Sequence, residues 1–179
     1  MKTSDEDLAL AAAGGDRDAF AALLARRYDD LFNLAFRLTG NRTDAEDITQ
    51  DVCAALPAKL VNYRSEARFT TWAYRVVVNA AHDRRRRAAT RSRAADGWGS
   101  WEINRRAVIA QGQDQSDWLS NVMSSLSNEL RDTIALLLED ELTHAEAGKV
   151  LGVSEGTISW RMSQAKKHLR ALAEKEARS

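Results

Sequence analysis

Residues 143–169 read THAEAGKVLGVSEGTISWRMSQAKKHL, and their spacing predicts two short helices joined by a tight turn at Gly152. Thr143 and Glu146 make an S/T-x-x-E capping box, which marks the start of the first helix. Ala147, Val150 and Leu151 give that helix an apolar face, and Gly152 suits the positive φ that closes it. Ser154 is placed to cap the second helix, whose apolar residues Ile158, Met162, Ala165 and Leu169 fall close to helical period. The other face carries Glu155, Ser159, Ser163, Lys166 and Lys167, short polar groups followed by cations. Such a helix can enter a major groove with its early residues and hold the adjoining phosphates with its late ones. The same spacing also suits an ordinary helical hairpin.

The segment resembles the promoter-reading helix-turn-helix of extracytoplasmic-function (ECF) sigma factors. Leu142, Thr143, Glu146, Leu151, Gly152, Val153, Ser154, Gly156, Thr157, Ile158, Arg161 and Met162 all fit that family's pattern. Ala147 stands where the pattern has a larger aliphatic, and Gly148 where it has Ala, at a cost of roughly 1 kcal/mol of helix propensity. Trp160 is unusual at an exposed position of such a helix. The resemblance implies that Glu155, Thr157, Ser159, Trp160, Ser163, Lys166 and Lys167 contact the −35 promoter element.

The whole chain has 179 residues, enough for one or two domains with real cores. One proline and nine glycines favour helix throughout, and 44% apolar content with five tryptophans excludes a mainly disordered chain. No apolar run approaches the roughly 20 residues of a membrane span, so no membrane insertion is expected. The start, MKTSDEDLALAAAGG, is acidic where a signal peptide would be basic. A single Cys53 cannot form an internal disulfide, which suits a reducing cytoplasm. His82, His144 and His168 are scattered, without metal-ligand spacing, and neither a phosphate loop nor a nucleophile motif is evident. Neither an enzyme nor a cofactor-binding protein is expected, and no small-molecule substrate.

The net charge of zero hides a segregation. Residues 1–60 carry −4, 61–93 carry +7, 94–140 carry −5 and 141–179 carry +2. Two basic blocks separated by acidic ones suggest two nucleic-acid contacts on one chain.

Taken in order, Asp5 to Ala13 reads as a short acidic helix and Asp16 to Leu38 as a longer one ended by Gly40. Phe20, Leu24, Leu31, Ala35 and Leu38 line one face of the second, with Leu23 and Leu34 beside them. Thr43 and Glu46 suggest a further capping box, opening a helix with Ile48, Val52, Ala55, Leu56 and Leu60 inward. Pro57 should kink that helix or end its regular part. Its outward acidic residues read by themselves as solvated surface. Yet DAEDITQDV, residues 44–52, closely resembles the segment of the first sigma domain that grips the clamp coiled coil of RNA polymerase. That resemblance implies contacts by Asp44, Glu46, Asp47, Gln50 and Asp51, groups suited to an arginine-rich partner.

Residues 61–87, VNYRSEARFTTWAYRVVVNAAHDRRRR, predict a polar loop over Asn62 to Arg68 and a helix over Phe69 to His82. Phe69, Ala73, Val76, Val77 and Ala80 fall at core spacing. Aromatics interleaved with Arg64, Arg68 and Arg75, then Arg84, Arg85, Arg86 and Arg87, suit single-stranded DNA, where rings stack on bases and cations track phosphates. Phe69 reads as core, and Trp72 as either core or a base platform. The stretch resembles the family segment that opens the −10 element, which adds Asn79 to the implied set and places Ser65 where the pattern commonly has Gly. Residues 88–117 show no sustained period and read as a flexible linker with Trp98 and Trp101 in it. Trp118 to Leu126 and Leu130 to Leu142 read as helices of a second domain, with Asn128, Glu129 and Leu130 at the turn between them.

These readings converge on an all-α chain of two small helical domains joined by a flexible linker. An N-terminal unit like sigma domain 2 is expected over 5–88, a linker over 89–114 and a helix-turn-helix unit like sigma domain 4 over 115–175. The implied function is cytoplasmic promoter selection for core RNA polymerase, with promoter DNA and an anti-sigma factor as further partners. Two rival readings are a sigma mimic that sequesters an anti-sigma factor and a plain helix-turn-helix repressor. The basic and aromatic stretch at Trp72 to Arg87 speaks against the first, and the acidic motif at Asp44 to Asp51 against the second. Two small domains with docking surfaces are also expected to have compact, inactive arrangements available to them.

Overall fold

A computed structural model describes residues 3–95, 121–139 and 141–179, and every described element of it is helical. Four helices build the first unit: α1 (Asp5–Ala13), α2 (Arg17–Thr39), α3 (Arg42–Leu60) and α4 (Phe69–Ala95). Residues 121–125 are helical, followed by α5 (Asn128–Leu137), α6 (His144–Leu151) and α7 (Glu155–Ala177). Trp98, Trp101, Trp118 and most of the expected linker lie outside the described residues.

Caps set the helix starts. The carboxylate of Asp16 accepts the N–H groups of Asp18 and Ala19, and Gly40 closes α2 at φ 65°. For α3 the expected Thr43 box is not the cap; Asn41 Oδ1 accepts the Asp44 N–H at 3.0 Å, and Glu46 instead pairs with Arg42. An Asx side chain at the chain reversal after Gly40 reaches the free N–H groups from two residues before Thr43. Pro57 neither ends nor interrupts α3, which continues to Leu60 with Pro57 exposed.

The first core consists of Leu23, Leu31, Leu34, Leu38, Ile48, Leu56, Leu60, Phe69 and Val77, each at most 2% exposed. Burying such a side chain contributes about 1.5–3 kcal/mol. Leu23 and Leu34, expected beside the main row of α2, sit at its centre, while Phe20 and Leu24 are half-buried. The helix expected to stop at His82 runs on to Ala95, through the four arginines and into the stretch expected as linker. Of the expected row Phe69, Ala73 and Val77 are buried and Val76 and Ala80 only partly so, while Tyr74, Val78 and Ala81 are buried on the helix that the second unit packs against. The amide of Phe69 at the start of α4 donates to Glu6 Oε1 of α1 at 2.8 Å, so α1 caps α4 from outside it. Ser65, in the loop before α4, holds φ 57°, which accounts for the glycine usual there.

In the second unit the turn falls at Leu126–Ser127, two residues earlier than expected; Ser127 caps α5, and Asn128, Glu129 and Leu130 form its first turn. α5 ends at Leu137, not Leu142; Leu142 is buried in the connection just before the Thr143 cap. The Thr143–Glu146 capping box is present in both directions, and Gly152 adopts φ 70°.

Gly148 sits where α6 meets the turn before α7. A Cβ there would stand 2.6 Å from the Val153 carbonyl oxygen, a backbone atom that cannot swing aside. Gly148→Ala should gain about 1 kcal/mol of helix propensity and lose about 1–3 kcal/mol to overpacking. A lowered melting temperature is the expected result, and an unchanged or raised one would show that the turn yields.

Candidate nucleic-acid interface

The helix-turn-helix presents α7. Ser154 Oγ accepts the Thr157 N–H at 3.2 Å, Ile158 and Ala165 are fully buried, and Met162 and Leu169 pack at the core edge. This fixes the helix rotation, so Glu155, Ser159, Trp160, Ser163, Lys166 and Lys167 face solvent and Thr157 is half-buried. His144, Ser159, Ser163, Lys166, Lys167 and Arg170 line an open groove along that face. His144 Nδ1 stands 2.9 Å from Ser159 Oγ. Trp160 is 60% exposed, so it is not a core residue of this unit. Arg161 turns the other way, 3.7 Å from Glu129 of α5, with its side chain 14% exposed.

On α4, Arg75, Asn79, Arg86 and Arg87 are exposed, and steps of four and seven residues put the first three on one face. Trp72 flanks them, half-buried, its ring tilted against Tyr63 at 5.3 Å and Phe69 at 5.9 Å. Its indole is therefore both a packing element and a partly open plane. Arg64 is exposed in the preceding loop, and Arg86 pairs with Asp83.

Three arginines of the predicted set are engaged within the protein instead. Arg84 donates to Asp44 at 2.6 Å and to Asp47 at 3.1 Å, and its bond to Asp44 is the main cause of its raised pKa. Arg85 binds Asp132 of α5 through both terminal nitrogens, at 2.6 and 3.2 Å. Arg68 donates to the Glu141 carbonyl at 3.0 Å and stands 3.4 Å from Glu146. The acidic row of α3 remains available along its outer face: Asp47, Gln50 and Asp51 are exposed, with Asp44 and Glu46 half-buried beside them.

Sequence reasoning missed the seam between the units. Arg37 of α2 is 8% exposed and donates to the Ala135 carbonyl at 2.9 Å and to Glu139 at 2.6 Å. His82 Nε2 lies 2.7 Å from Asp132 Oδ2, and Tyr74 donates to Glu141 at 2.6 Å. Burial works to raise the Asp132 pKa, but the bonds from His82 and Arg85 outweigh it and hold the carboxyl below its ordinary value. Burial, and then the Glu141 carboxylate, push the Tyr74 hydroxyl well up. The block charges signalled only the pairing of His82 and Arg85 with Asp132, because Arg37 lies in an acidic block and Glu141 in a basic one.

Comparison with known proteins matches residues 23–91 to Sigma-70 region 2 and residues 122–171 to Sigma-70 region 4. The chain is 30% identical over 180 residues to the ECF RNA polymerase sigma factor SigE of Mycolicibacterium smegmatis, spanning 95% of this chain and 69% of that protein. It is 29% identical over 167 residues to the ECF RNA polymerase sigma factor SigW of Bacillus subtilis, spanning 87% and 89%. The solved structure of CnrH in complex with the cytosolic domain of CnrY superposes with a TM-score of 0.73 at 26% identity, spanning 96% of this chain and 98% of that one.

Proposed function

We propose that this chain, which belongs to the extracytoplasmic-function family of RNA polymerase sigma factors, selects promoters through the two exposed rows that its units present. The first unit docks core polymerase through Asp44, Glu46, Asp47, Gln50 and Asp51 of α3. Arg64, Trp72, Arg75, Asn79, Arg86 and Arg87 engage the −10 strand as it opens, with Trp72 offering the stacking plane. Glu155, Thr157, Ser159, Trp160, Ser163, Lys166 and Lys167 read the −35 duplex. The observation that carries this reading is the pairing, on one chain, of a solvent-facing polar and cationic recognition helix with a separate aromatic and cationic row on α4. The chain contributes binding and orientation; the polymerase contributes the chemistry of RNA synthesis.

CnrH is bound to the cytosolic domain of CnrY in its structure. An anti-sigma factor is accordingly the regulatory partner we infer, acting in the cytoplasm. Among the described residues no helix is long and apolar enough to cross a membrane. Run-off transcription with core polymerase on a promoter library tests the function. Promoter-dependent transcripts should require this chain, and their absence with folded protein would refute it.

The reading of the −35 element has its own test. Trp160 is 60% exposed, so Trp160→Ala should leave the melting temperature unchanged. It should reduce discrimination among −35 sequences by roughly 1–3 kcal/mol, as expected when a base-edge contact is removed. A large loss of stability with discrimination intact would assign Trp160 to packing.

A further inference from the structure

We infer that His144 is a positioning residue for the recognition helix: it turns the Ser159 hydroxyl into a hydrogen-bond acceptor and so directs it to a base amino group. This role rests on the −35 reading of α7 and extends it to the chemistry of one base pair. The turn brings the two residues together. His144 is the first residue of α6, where Thr143 and Glu146 do the capping and leave the imidazole free of that duty. Gly152 at φ 70° reverses the chain, and burial of Ile158 sets the rotation of α7 so that Ser159, the next residue, is exposed. His144 Nδ1 stands 2.9 Å from Ser159 Oγ, and neither side chain has another hydrogen-bond partner among the described residues.

A contact between these two atoms has two forms. Either the hydroxyl donates to a bare Nδ1, or a protonated Nδ1 donates to the hydroxyl. Bound DNA selects between them. His144 lines one groove with Lys166, Lys167 and Arg170, and with Glu174 further along α7. The dipole at the start of α6 adds to the positive potential of those cations. Phosphate oxygens drawn there only accept hydrogen bonds, so the imidazole meets them through Nε2–H. In a neutral ring, a proton on Nε2 leaves Nδ1 as an acceptor. The Ser159 proton is then committed to Nδ1, and its oxygen presents lone pairs alone to the major groove. The donors that answer them there are base amino groups, N6 of adenine or N4 of cytosine.

Ser163, one turn further along the same face, gives the contrast. It is exposed and has no side-chain hydrogen-bond partner among the described residues, so its hydroxyl is free to donate or to accept. A hydroxyl of that kind tolerates either edge of a base pair. The recognition helix thus presents two serines of equal chemistry and unequal selectivity, and His144 makes the difference.

The test uses holoenzyme, the full chain assembled with core polymerase, at about pH 8, where an imidazole is neutral. Promoters randomised through the −35 element are bound and the retained sequences counted. Ser159→Ala and Ser163→Ala each identify the base pair whose preference they remove. The wild-type preference at the Ser159 pair should be about twofold to tenfold, the range for one net hydrogen bond. His144→Ala should relax that preference and leave the Ser163 pair unchanged. His144→Asn, which keeps a side-chain acceptor, should restore part of it. His144→Ala combined with Ser159→Ala should do no more than Ser159→Ala alone. At the identified pair, purine in place of adenine, or 2-pyrimidinone in place of cytosine, removes the amino group and should weaken wild-type binding as Ser159→Ala does. The same analogue should cost nothing further in Ser159→Ala. Melting temperatures of the variants should stay near wild type, because Ser159 is exposed and His144 half-buried. Additive effects of the two substitutions, an unchanged profile for His144→Ala, or wild-type indifference to loss of the amino group each overturns the role of His144. If Ser159→Ala alters no pair while other −35 positions still discriminate, the −35 reading stands and the role of His144 falls. If no −35 position discriminates with any form, the −35 reading falls and this role with it.

Discussion

Asp47→Arg combined with Asp51→Arg should reduce competition for core polymerase at least about a hundredfold. Hydrogen bonds to charged groups contribute about 1.5–3 kcal/mol each, and about 1.4 kcal/mol is a factor of ten. Two reversed contacts, now repulsive toward an arginine-rich partner, exceed the threshold for a hundredfold loss. Both residues are exposed, while Ile48 and Val52, which anchor α3, are 2% exposed and untouched. Asp47 also lies 3.1 Å from Arg84, so its replacement removes one intramolecular pair. Both side chains of that pair are well exposed, at 35% and 51%, and such pairs contribute at most about 1 kcal/mol. Helicity and melting should therefore stay close to wild type. The measurement is displacement of a reference sigma factor from core polymerase, and normal displacement by the folded double variant would remove α3 from the docking surface.

Replacing Trp72 and Arg75 with Ala should suppress promoter opening more than duplex binding. Stacking contributes roughly 1–3 kcal/mol per base, so permanganate reactivity of −10 thymines should fall about fivefold to a hundredfold. The two residues are separable. Arg75 is exposed and its truncation should leave stability unchanged, whereas Trp72 packs on Tyr63 and Phe69. Trp72→Ala should itself destabilise the first unit by about 1–3 kcal/mol, less than a fully buried Trp would. Trp72→Phe keeps an aromatic plane and most of that packing, and should fall between wild type and Trp72→Ala in opening. Unchanged thymine reactivity in the double variant would make both residues structural.

The amino-acid sequence by itself determined most of the local structure. The Thr143–Glu146 box, the Gly152 and Gly40 terminations and the Ser154 cap depend on groups within a few residues of each other, and each forms as expected. The inward row of α7 did too, because a 3.6-residue period is set by the backbone alone. Local competition decided the exceptions. Asn41 outcompeted Thr43 for the cap of α3, and four consecutive arginines did not end α4, since arginine is a good helix former.

Which arginines remain free was decided only by tertiary structure. Arg75 and Arg87 are open, Arg84 is tied to α3, and Arg85 is tied to α5, yet in sequence three of the four belong to one basic run. Asp132 lies 47 positions from Arg85 and Glu139 lies 102 from Arg37, distances across which periodicity carries no information. Charge segregation told how much of each sign was present, but Coulomb attraction acts between whatever surfaces are brought together, whether a phosphate backbone or a neighbouring helix. The packing of α6 on α4 and α5 on α2 made that choice.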